Sequence, residues 1–316
     1  MKTLKRLVYS VLCILFLVLV LSSNVPNILA AGRTNQTISS NVTSDIPPFT
    51  PVPLTDDVRP MQTSRPLKVY VLSVNQADST YIEMPDGRNI LIDGGQGNDV
   101  VKRLKSIGAW GKKIDILVLT HPHIDHVGAL LYVLNGCPIK EVWETGVQEN
   151  DFNPWYSEWR KRVALLKIPD RKVKAGYSAT FGNAKLKVLA PLNSLDGKKV
   201  PIVNNASIVT EISYGNFKAL LTGDAQIEEQ SEILSNLSHV QLLKIPHHGA
   251  KNAALEATYK KITPDVAVLT TSWWSIPSPY ALSLMRKYCG QRFTTWINGT
   301  VLVTSDSKTY KVETLK

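Results

Sequence analysis

The amino-acid sequence predicts an α/β domain over residues 66–316, on three observations. Past Pro66, short β-branched or alternating runs take turns with segments whose apolar residues recur at helical spacing. One run, KIDILVLT at 113–120, is almost continuously apolar, the pattern of a strand buried on both faces in a parallel sheet. Residues able to carry chemistry, among them His121, Asp224 and His247, close such runs, and α/β sheets gather their ligands at the carboxyl ends of strands.

The chain opens differently. Lys2, Lys5 and Arg6 precede an apolar run from Leu7 to Leu21, the build of a secretory leader. Two outcomes are open over residues 1–31: cleavage at Ala30 and Ala31, or retention as a membrane anchor. Cys13 follows Leu12 inside the apolar run, which rules out a lipoprotein attachment site. In both cases residues 66–316 are expected outside the bacterial cytoplasm, secreted or held at the outer face of the membrane or cell wall through the N-terminus. Residues 32–65 are rich in Ser, Thr, Asn and Pro, with little to fill a core, and predict a linker. The alternative is an arm packed on the domain surface.

Within 66–316 the elements follow in order. LKVYVLSV (67–74), STYIEMP (79–85) and RNILIDGG (88–95) are strands, and Pro85, Asp86 and Gly87 form a hairpin turn signal, so an antiparallel opening is expected. NDVVKRLKSIGAW puts Val100, Val101, Leu104 and Ile107 on one helical face. After 113–120 comes a helix, DHVGALLYVLNG, then the strand KEVWETG and the aromatic segment FNPWYSEW (152–159). Trp155 and Trp159, four apart, read either as the buried stripe of a short helix or as stacking platforms for bases. KLKVLAP (185–191), SIVTEISYG (207–215) and NFKALLTGD (216–224) are strands, a helix follows Gln226, and QLLKIPHHG (241–249) is a strand ending in two histidines. A helix from about Asn252 to Lys261, the strand DVAVLTT (265–271), a helix over 279–288 and terminal strands complete the chain.

Composition narrows the partners. With 44% hydrophobic and 20% charged residues the chain can bury a core, which excludes a disordered protein. Lys plus Arg number 36 against 26 Asp plus Glu, a net +10, or +7 with the three basic residues of the leader set aside. That balance favours anionic partners: nucleic acid, teichoic-type polymers or phospholipid surfaces. Beyond the leader only Cys137 and Cys289 remain, too few for a disulfide scaffold, and neither has a partner at metal-finger spacing.

THPHIDHVGA (120–129) crowds His121, His123, Asp125 and His126 into the turn between the buried strand and its helix. Imidazole nitrogens and carboxylate oxygens are the donors of borderline and hard divalent ions, and a short loop holds them with little entropy left to lose. The spacing allows two ions, His121 and His123 taking one, Asp125 and His126 the other. Asp224 and His247 stand at later strand ends, where they can join the group.

THPHIDH resembles the signature of the metallo-β-lactamase superfamily, and the likeness covers about residues 66–316. With VNQADSTYIEMPDGRNILIDGG, NNASIVTEISYGNFKALLTGDA and LLKIPHHGAKNA, the chain is similar to the branch containing the hydrolase domain of ComEC, the DNA-uptake channel protein of competent bacteria. The resemblance implies a four-layer αββα sandwich with the metals at one edge of the sheets. It matches His121 and His123 to the first metal, Asp125, His126 and His247 to the second, and Asp224 to the carboxylate bridging them. Asp93 in LIDGG matches an early aspartate that supports the site by hydrogen bonding.

One departure bears on the metal. Many members supply a third histidine to the first metal between the signature and the bridging aspartate, and this chain has none between His126 and His239. The corresponding segment is Asn204-Asn205-Ala206-Ser207, where an amide oxygen or a water it holds can fill the gap. An oxygen donor there makes Mn²⁺ as fitting as Zn²⁺. The resemblance therefore implies two divalent ions and an exported phosphodiesterase or nuclease, with DNA or another anionic phosphodiester as partner and no protein partner. Asp125 and His248 are the candidate catalytic residues, His248 by contacting substrate or protonating the leaving oxygen. Asn205, Ser207, Trp273 and Trp274 are candidate substrate contacts, and Lys251 a weaker one. Two other classes compete: a metallohydrolase of small esters (phosphocholine ester, lactone or β-lactam) and a wall-attached binding module without activity.

Overall fold

The computed structural model describes residues 45–53, 65–148, 153–275 and 277–316. The apolar run of the leader, and residues 32–44 and 54–64 of the expected linker, lie outside the described residues. No described helix is long and apolar enough to cross a membrane.

Two mixed sheets carry the fold. The first orders its strands β15 (Tyr310–Leu315), β14 (Thr300–Ser305), β1 (Leu67–Val71), β2 (Thr80–Glu83), β3 (Asn89–Ile92), β4 (Ile116–Val118), β5 (Val142–Glu144) and β6 (Asp170–Lys172). The second orders β13 (Gln291–Thr294), β12 (Val266–Leu269), β11 (Leu242–Lys244), β10 (Phe217–Leu221), β9 (Val209–Tyr214), β8 (Ala184–Ala190) and β7 (Ser178–Phe181). Each sheet has an antiparallel side and a parallel side. The expected antiparallel opening is present: β1 pairs β2, and β2 pairs β3, through a turn in which Gly87 adopts φ +88. From β3 to β6, and from β10 to β13, neighbours run parallel.

Three apolar clusters define the layers. One lies between the sheets and takes inward residues of both, such as Val69, Ile90 and Val118 against Leu186, Ala219 and Val268. A second packs the other face of the first sheet, Leu91 and Leu117 included, against helices α1 (Asp99–Ser106), α3 (Leu130–Gly136) and α4 (Pro154–Leu165). The third packs Leu220, Leu243 and Ala267 of the second sheet against α5 (Ile227–Ile233), α6 (Glu256–Ile262) and α7 (Pro279–Tyr288). Helix, sheet, sheet, helix is the αββα order expected, and β4, covered on both faces, has the continuous apolar run that order requires.

Local chemistry explains two choices the sequence left open. Asn153 caps α4, its side-chain oxygen accepting from the Trp155 and Tyr156 amides, with Pro154 in the first turn. The helix turns Trp155 and Trp159 into the core, 7% and 1% exposed, so neither is a stacking platform. Residues 45–53, inside the stretch expected to be a linker, instead pack on the domain. Ile46 touches the outer core of the first sheet, Asn135 bonds the Thr50 amide and the Pro48 carbonyl, and the Arg162 guanidinium reaches the Pro47 carbonyl and the Phe49 ring. The second-half helix expected from about Asn252 starts at Glu256, because Lys251–Ala253 form a separate turn. Cys137 and Cys289 are free and buried in different clusters, and burial pushes their thiols up to about 11 and about 12.

Glu229 on α5 is 3% exposed, and neither carboxylate oxygen has a hydrogen-bond partner. Burial, and secondarily the Glu232 charge, holds its pKa well above the ordinary carboxylate range. The folded protein thus keeps a proton that the unfolded chain releases above about pH 4.3. Stability attributable to this group is complete at low pH and is lost as pH rises toward the folded pKa, by up to about 1.4 kcal/mol per pH unit. Glu229→Gln is expected to flatten that dependence. Thermal melts of variant and wild type from pH 4.5 to 8.5 should diverge as pH rises, with the variant the more stable at the alkaline end.

Candidate metal centre

Every polar residue of the centre stands just past a strand in the parallel half of a sheet. Asp93 follows β3, His121 follows β4, Asp224 follows β10, His247 and His248 follow β11, and Thr270 follows β12. The Ile208 amide donates to the Thr120 carbonyl, 3.1 Å, which joins the two halves at this edge. The short helix Ile124–Val127 (α2) then presents Asp125 and His126 inward.

The side chains converge on the Asp224 carboxylate, which is almost fully buried. Its Oδ2 lies 3.3 Å from His126 Nε2, 3.7 Å from His247 Nε2, 3.8 Å from His248 Nε2 and 3.9 Å from His121 Nε2. Asp125 Oδ2 is 3.3 Å from His248 Nε2 and 3.8 Å from His126 Nε2. On the other flank His121 Nε2 and His123 Nδ1 are 3.1 Å apart. These separations suit donors placed around a shared ion better than hydrogen-bonded pairs, since two imidazole nitrogens need a proton between them and most of the carboxylate contacts exceed 3.3 Å.

Whether a metal fits can be judged from the buried atoms. His126 Nε2 and Asp224 Oδ1 are both buried without a hydrogen-bond partner, a costly condition unless something absent from the chain satisfies them. Asp78, His126, Asp224 and His248 bring their donor atoms within 4.8 Å of one another. Asp78 is already engaged, by Lys244 at one oxygen and by the Thr270 hydroxyl, 2.6 Å, at the other. Asp125 is the free carboxylate beside the other three. The residues present therefore fit a divalent ion held among Asp125, His126, Asp224 and His248.

Supporting contacts fix the rings. Asp93 Oδ2 is 2.7 Å from His126 Nδ1, and its carboxylate also accepts from the Thr120 amide and hydroxyl, 2.8 and 2.7 Å. The proton thereby stays on Nδ1 and Nε2 turns toward Asp224, an arrangement frequent at metal-ligating histidines. Asp93 holds this position in the left-handed region, φ +58. His248 Nδ1 is 3.0 Å from the Thr270 hydroxyl and 3.6 Å from Asp78. The Ser207 hydroxyl accepts from the Asp224 amide, 3.0 Å, and lies 3.4 Å from His121 Nδ1. Gly223, φ +50, permits that approach, because a Cβ there would stand 3.1 Å from the Ser207 side chain.

The charges respond to this enclosure. Burial and the His126 charge push His121 well below the ordinary imidazole range, and burial lowers His123 and His247 as well. His126 is held well above it: burial opposes its charge, but Asp224, Asp93 and Asp125 outweigh burial. His248 is raised in the same way, by Asp224 and Asp78 against burial. Asp224 and Asp125 are correspondingly lowered despite burial, chiefly by the charge of His126.

Several expected roles change. His248, not His247, accompanies Asp125 and His126. With its ring 6% exposed and both nitrogens facing buried groups, His248 is not a solvent-facing proton donor. His247 lies on the other side of Asp224, a quarter of its side chain exposed, against the Asn204 amide. Asn205 is no substrate contact, since its amide is spent on Glu228, 3.0 Å, and on capping the Gln226 amide, 2.9 Å. Ser207 is completely buried and positions Asp224 and His121 instead of touching substrate. Trp273 and Trp274 are exposed, 70% and 54%, their rings edge to face at 5.5 Å, and Lys251 is exposed on the turn after His248. Asp78 and Lys244 were not foreseen, although a lysine inside the apolar run QLLKI and an aspartate between two strands are visible signals.

A family profile described as metallo-beta-lactamase superfamily matches residues 72–273. The chain belongs to the metallo-β-lactamase superfamily. Among curated superfamily relatives, "Recombination protein 2" of Haemophilus influenzae is 26% identical over 77% of this chain and 29% of its own length. "ComE operon protein 3" of Bacillus subtilis is 24% identical over 74% of this chain and 32% of its own. The chain thus spans about three-tenths of either relative. Among solved structures, the metallo-β-lactamase fold protein YhfI of Bacillus subtilis superposes with a TM-score of 0.52 at 12% identity, covering 76% of this chain and all of that one, which shows the shared fold. Membership and the buried donor group together make the protein a metal-dependent hydrolase of this superfamily.

Replacing Asp93 by Asn removes the carboxylate that anchors His126 Nδ1 without emptying the space. Metal affinity is expected to fall about 10- to 100-fold. Titration calorimetry of the metal-free protein measures it, and unchanged affinity would deny Asp93 the orienting role.

Proposed function

We propose that the protein is an exported phosphodiesterase that holds two divalent ions, Mn²⁺ or Zn²⁺, and cleaves DNA. The observation that carries the substrate class is the groove beside Asp125. It encloses about 400 Å³ and is walled by Asn75, Gln76, Gln96, Ile124, Asp125 and Trp274. A candidate metal carboxylate and an exposed indole thus line one cleft, so a base can stack on Trp274 while its phosphodiester reaches Asp125. Exposed Trp273 and Trp296 extend the aromatic surface, Trp296 through α8 (Thr295–Asn298), whose Thr295 hydroxyl bonds the Thr271 amide, 3.1 Å. Net charge +10 attracts a polyanion. The names of the two curated relatives, a recombination protein and a ComE operon protein, agree with DNA as substrate. Export rests on Lys2, Lys5, Arg6 and the run from Leu7 to Leu21.

The protein's own groups have defined tasks. Asp125, His126, Asp224 and His248 hold one ion, and His121, His123 and Asp224 contribute to the other. Divalent ions bound there supply a water acidified toward neutrality and the positive charge that phosphoryl oxygens need as charge develops on them. Asp93 keeps its proton partner on His126 Nδ1, and Asp78 with Thr270 keeps His248 Nδ1 occupied, so both Nε2 atoms stay available. Ser207 and Gly223 hold Asp224 between the sheets. Trp274 positions the substrate and excludes water from one side of the groove.

Full-length protein, stripped of metal and reloaded with Mn²⁺ or Zn²⁺, should cleave linear single- or double-stranded DNA. Asp224→Ala should lose this by about 10²- to 10³-fold or more. DNA binding should weaken steeply with salt through released counterions. Loss of one base stack, about 1–3 kcal/mol, predicts that Trp274→Ala raises KM for single strands roughly 5- to 100-fold with little change in kcat. No DNA cleavage with either metal, alongside turnover of phosphocholine esters, lactones or β-lactams, would transfer the reading to a small-ester hydrolase.

A further inference from the structure

On the two-ion reading, the ion beside His121 and His123 lacks the third histidine that many superfamily members provide, for the chain has no histidine between His126 and His239. We propose that Asn204 and His247 together take that place, the amide oxygen and the imidazole Nε2 completing the donors of the first ion. This rests on the two-ion reading and not on the identity of the substrate.

The backbone supplies the first argument. His247 and His248 are consecutive non-glycine residues in left-handed conformations, φ 46 and ψ 49, then φ 50 and ψ 26. Such residues cost on the order of 1–3 kcal/mol each and persist where the surroundings impose them. Their effect is to send two adjacent imidazoles to different sides of one carboxylate. His248 Nε2 approaches Asp125 and Asp224, 3.3 and 3.8 Å, and serves the second ion. His247 Nε2 approaches Asp224 Oδ2, 3.7 Å, the same oxygen that lies 3.9 Å from His121 Nε2. Asp224 Oδ2 therefore stands between His247 and the pair His121 and His123.

Asn204 supplies the second argument independently. It is 6% exposed, and its Oδ1 is buried with no hydrogen-bond partner. Its Nδ2 lies 3.2 Å from His247 Nε2 and 3.4 Å from His247 Nδ1, so the whole amide is set against that ring. Oxygen and nitrogen of an amide exchange by a half-turn of the group, which leaves the oxygen free to face an ion. The 3-10 turn Val203–Ala206 carrying Asn204 is tied to the centre through the next residue, Ser207, whose hydroxyl accepts from the Asp224 amide. A buried amide with an orphan acceptor, beside an imidazole at the flank that lacks a donor, is the arrangement a mixed nitrogen and oxygen site needs. That donor set is harder than three imidazoles and admits Mn²⁺ beside Zn²⁺.

The test counts ions in the full-length protein. Metal-free wild type is equilibrated with Mn²⁺ or Zn²⁺, ions per chain are measured by mass spectrometry of the eluted metal, and paired Mn²⁺ is read by its spin-coupled electron paramagnetic resonance. Wild type should hold two ions. Asn204→Ala and His247→Ala should each keep one and weaken the other by about 10-fold or more, with the coupled signal replaced by that of isolated Mn²⁺. Asn204→Asp, which keeps an oxygen donor, should retain both ions and guards against loss through misfolding. Asn204→His should retain both and favour Zn²⁺ over Mn²⁺ relative to wild type. Two ions at wild-type affinity in both alanine variants overturns the proposal, as does a single ion in wild type. Protein that holds ions as expected yet leaves DNA intact sinks the DNA reading and leaves this inference standing.

Discussion

Keeping Asp224 ionised in the interior is the constraint on which the rest of the centre depends. A carboxylate with a side chain 2% exposed is expensive to charge, and the usual response is a raised pKa. Here the shift is strongly downward, because His126, His248 and Lys244 surround the group and outweigh burial. Lys244 is itself buried, bonded to the Gly223 carbonyl at 2.9 Å, ion-paired with Asp78 and 3.7 Å from Asp224 Oδ1. Buried ion pairs of this kind add little net stability, but removing one partner strands the other and is strongly destabilising. Their value is positional: β11 and the loop before β2 are locked to the strand end that bears Asp224.

The fold makes this crowding feasible. Parallel strands end together along one edge of each sheet, and the inter-sheet core, with residues such as Ile92, Val118, Leu221 and Val268, keeps those ends at fixed separation. Loops leaving that edge need no length to meet. Strain gathers in the same place, where Asp93, His247 and His248 all hold positive φ. Each would relax in an isolated peptide, so packing of the surrounding sheets imposes these conformations.

This division explains what the sequence made legible. Strand and helix periodicity located β3, β4, β10 and β11, and because chemistry in such folds sits at strand ends, Asp93, His121, Asp224 and the histidine pair could be found with no structure. The local group at 121–126 is legible because its spacing is fixed within one turn. Side-chain direction past a strand end is another matter. Alternation no longer applies once two residues turn left-handed, so nothing in PHHG says which histidine meets Asp125. The same holds for Asn204, Asn205 and Ser207 in a 3-10 turn, where neighbours face the metal flank, the start of α5 and the core respectively. Tryptophan shows the contrast from the other direction: four-residue spacing after an Asn-Pro cap buries Trp155 and Trp159, while the unpaced Trp273 and Trp274 remain exposed.

Charge balance gives the centre a direction. In the metal-free chain Asp78, Asp93, Asp125 and Asp224 face Lys244 and the two imidazoles held above their usual range, His126 and His248. Four negative charges against three positive leave the buried cluster slightly negative, whichever of Asp93 and His126 carries the proton they share. Two divalent cations would expel the protons from His126 and His248 as those rings become donors. Four charges enter and two leave, so the same cluster turns net positive by one. A centre that is nearly neutral when empty folds without a large self-repulsion, and becomes attractive to an anion only when loaded. Phosphodiester binding is thereby coupled to metal occupancy by electrostatics alone, with no moving part required.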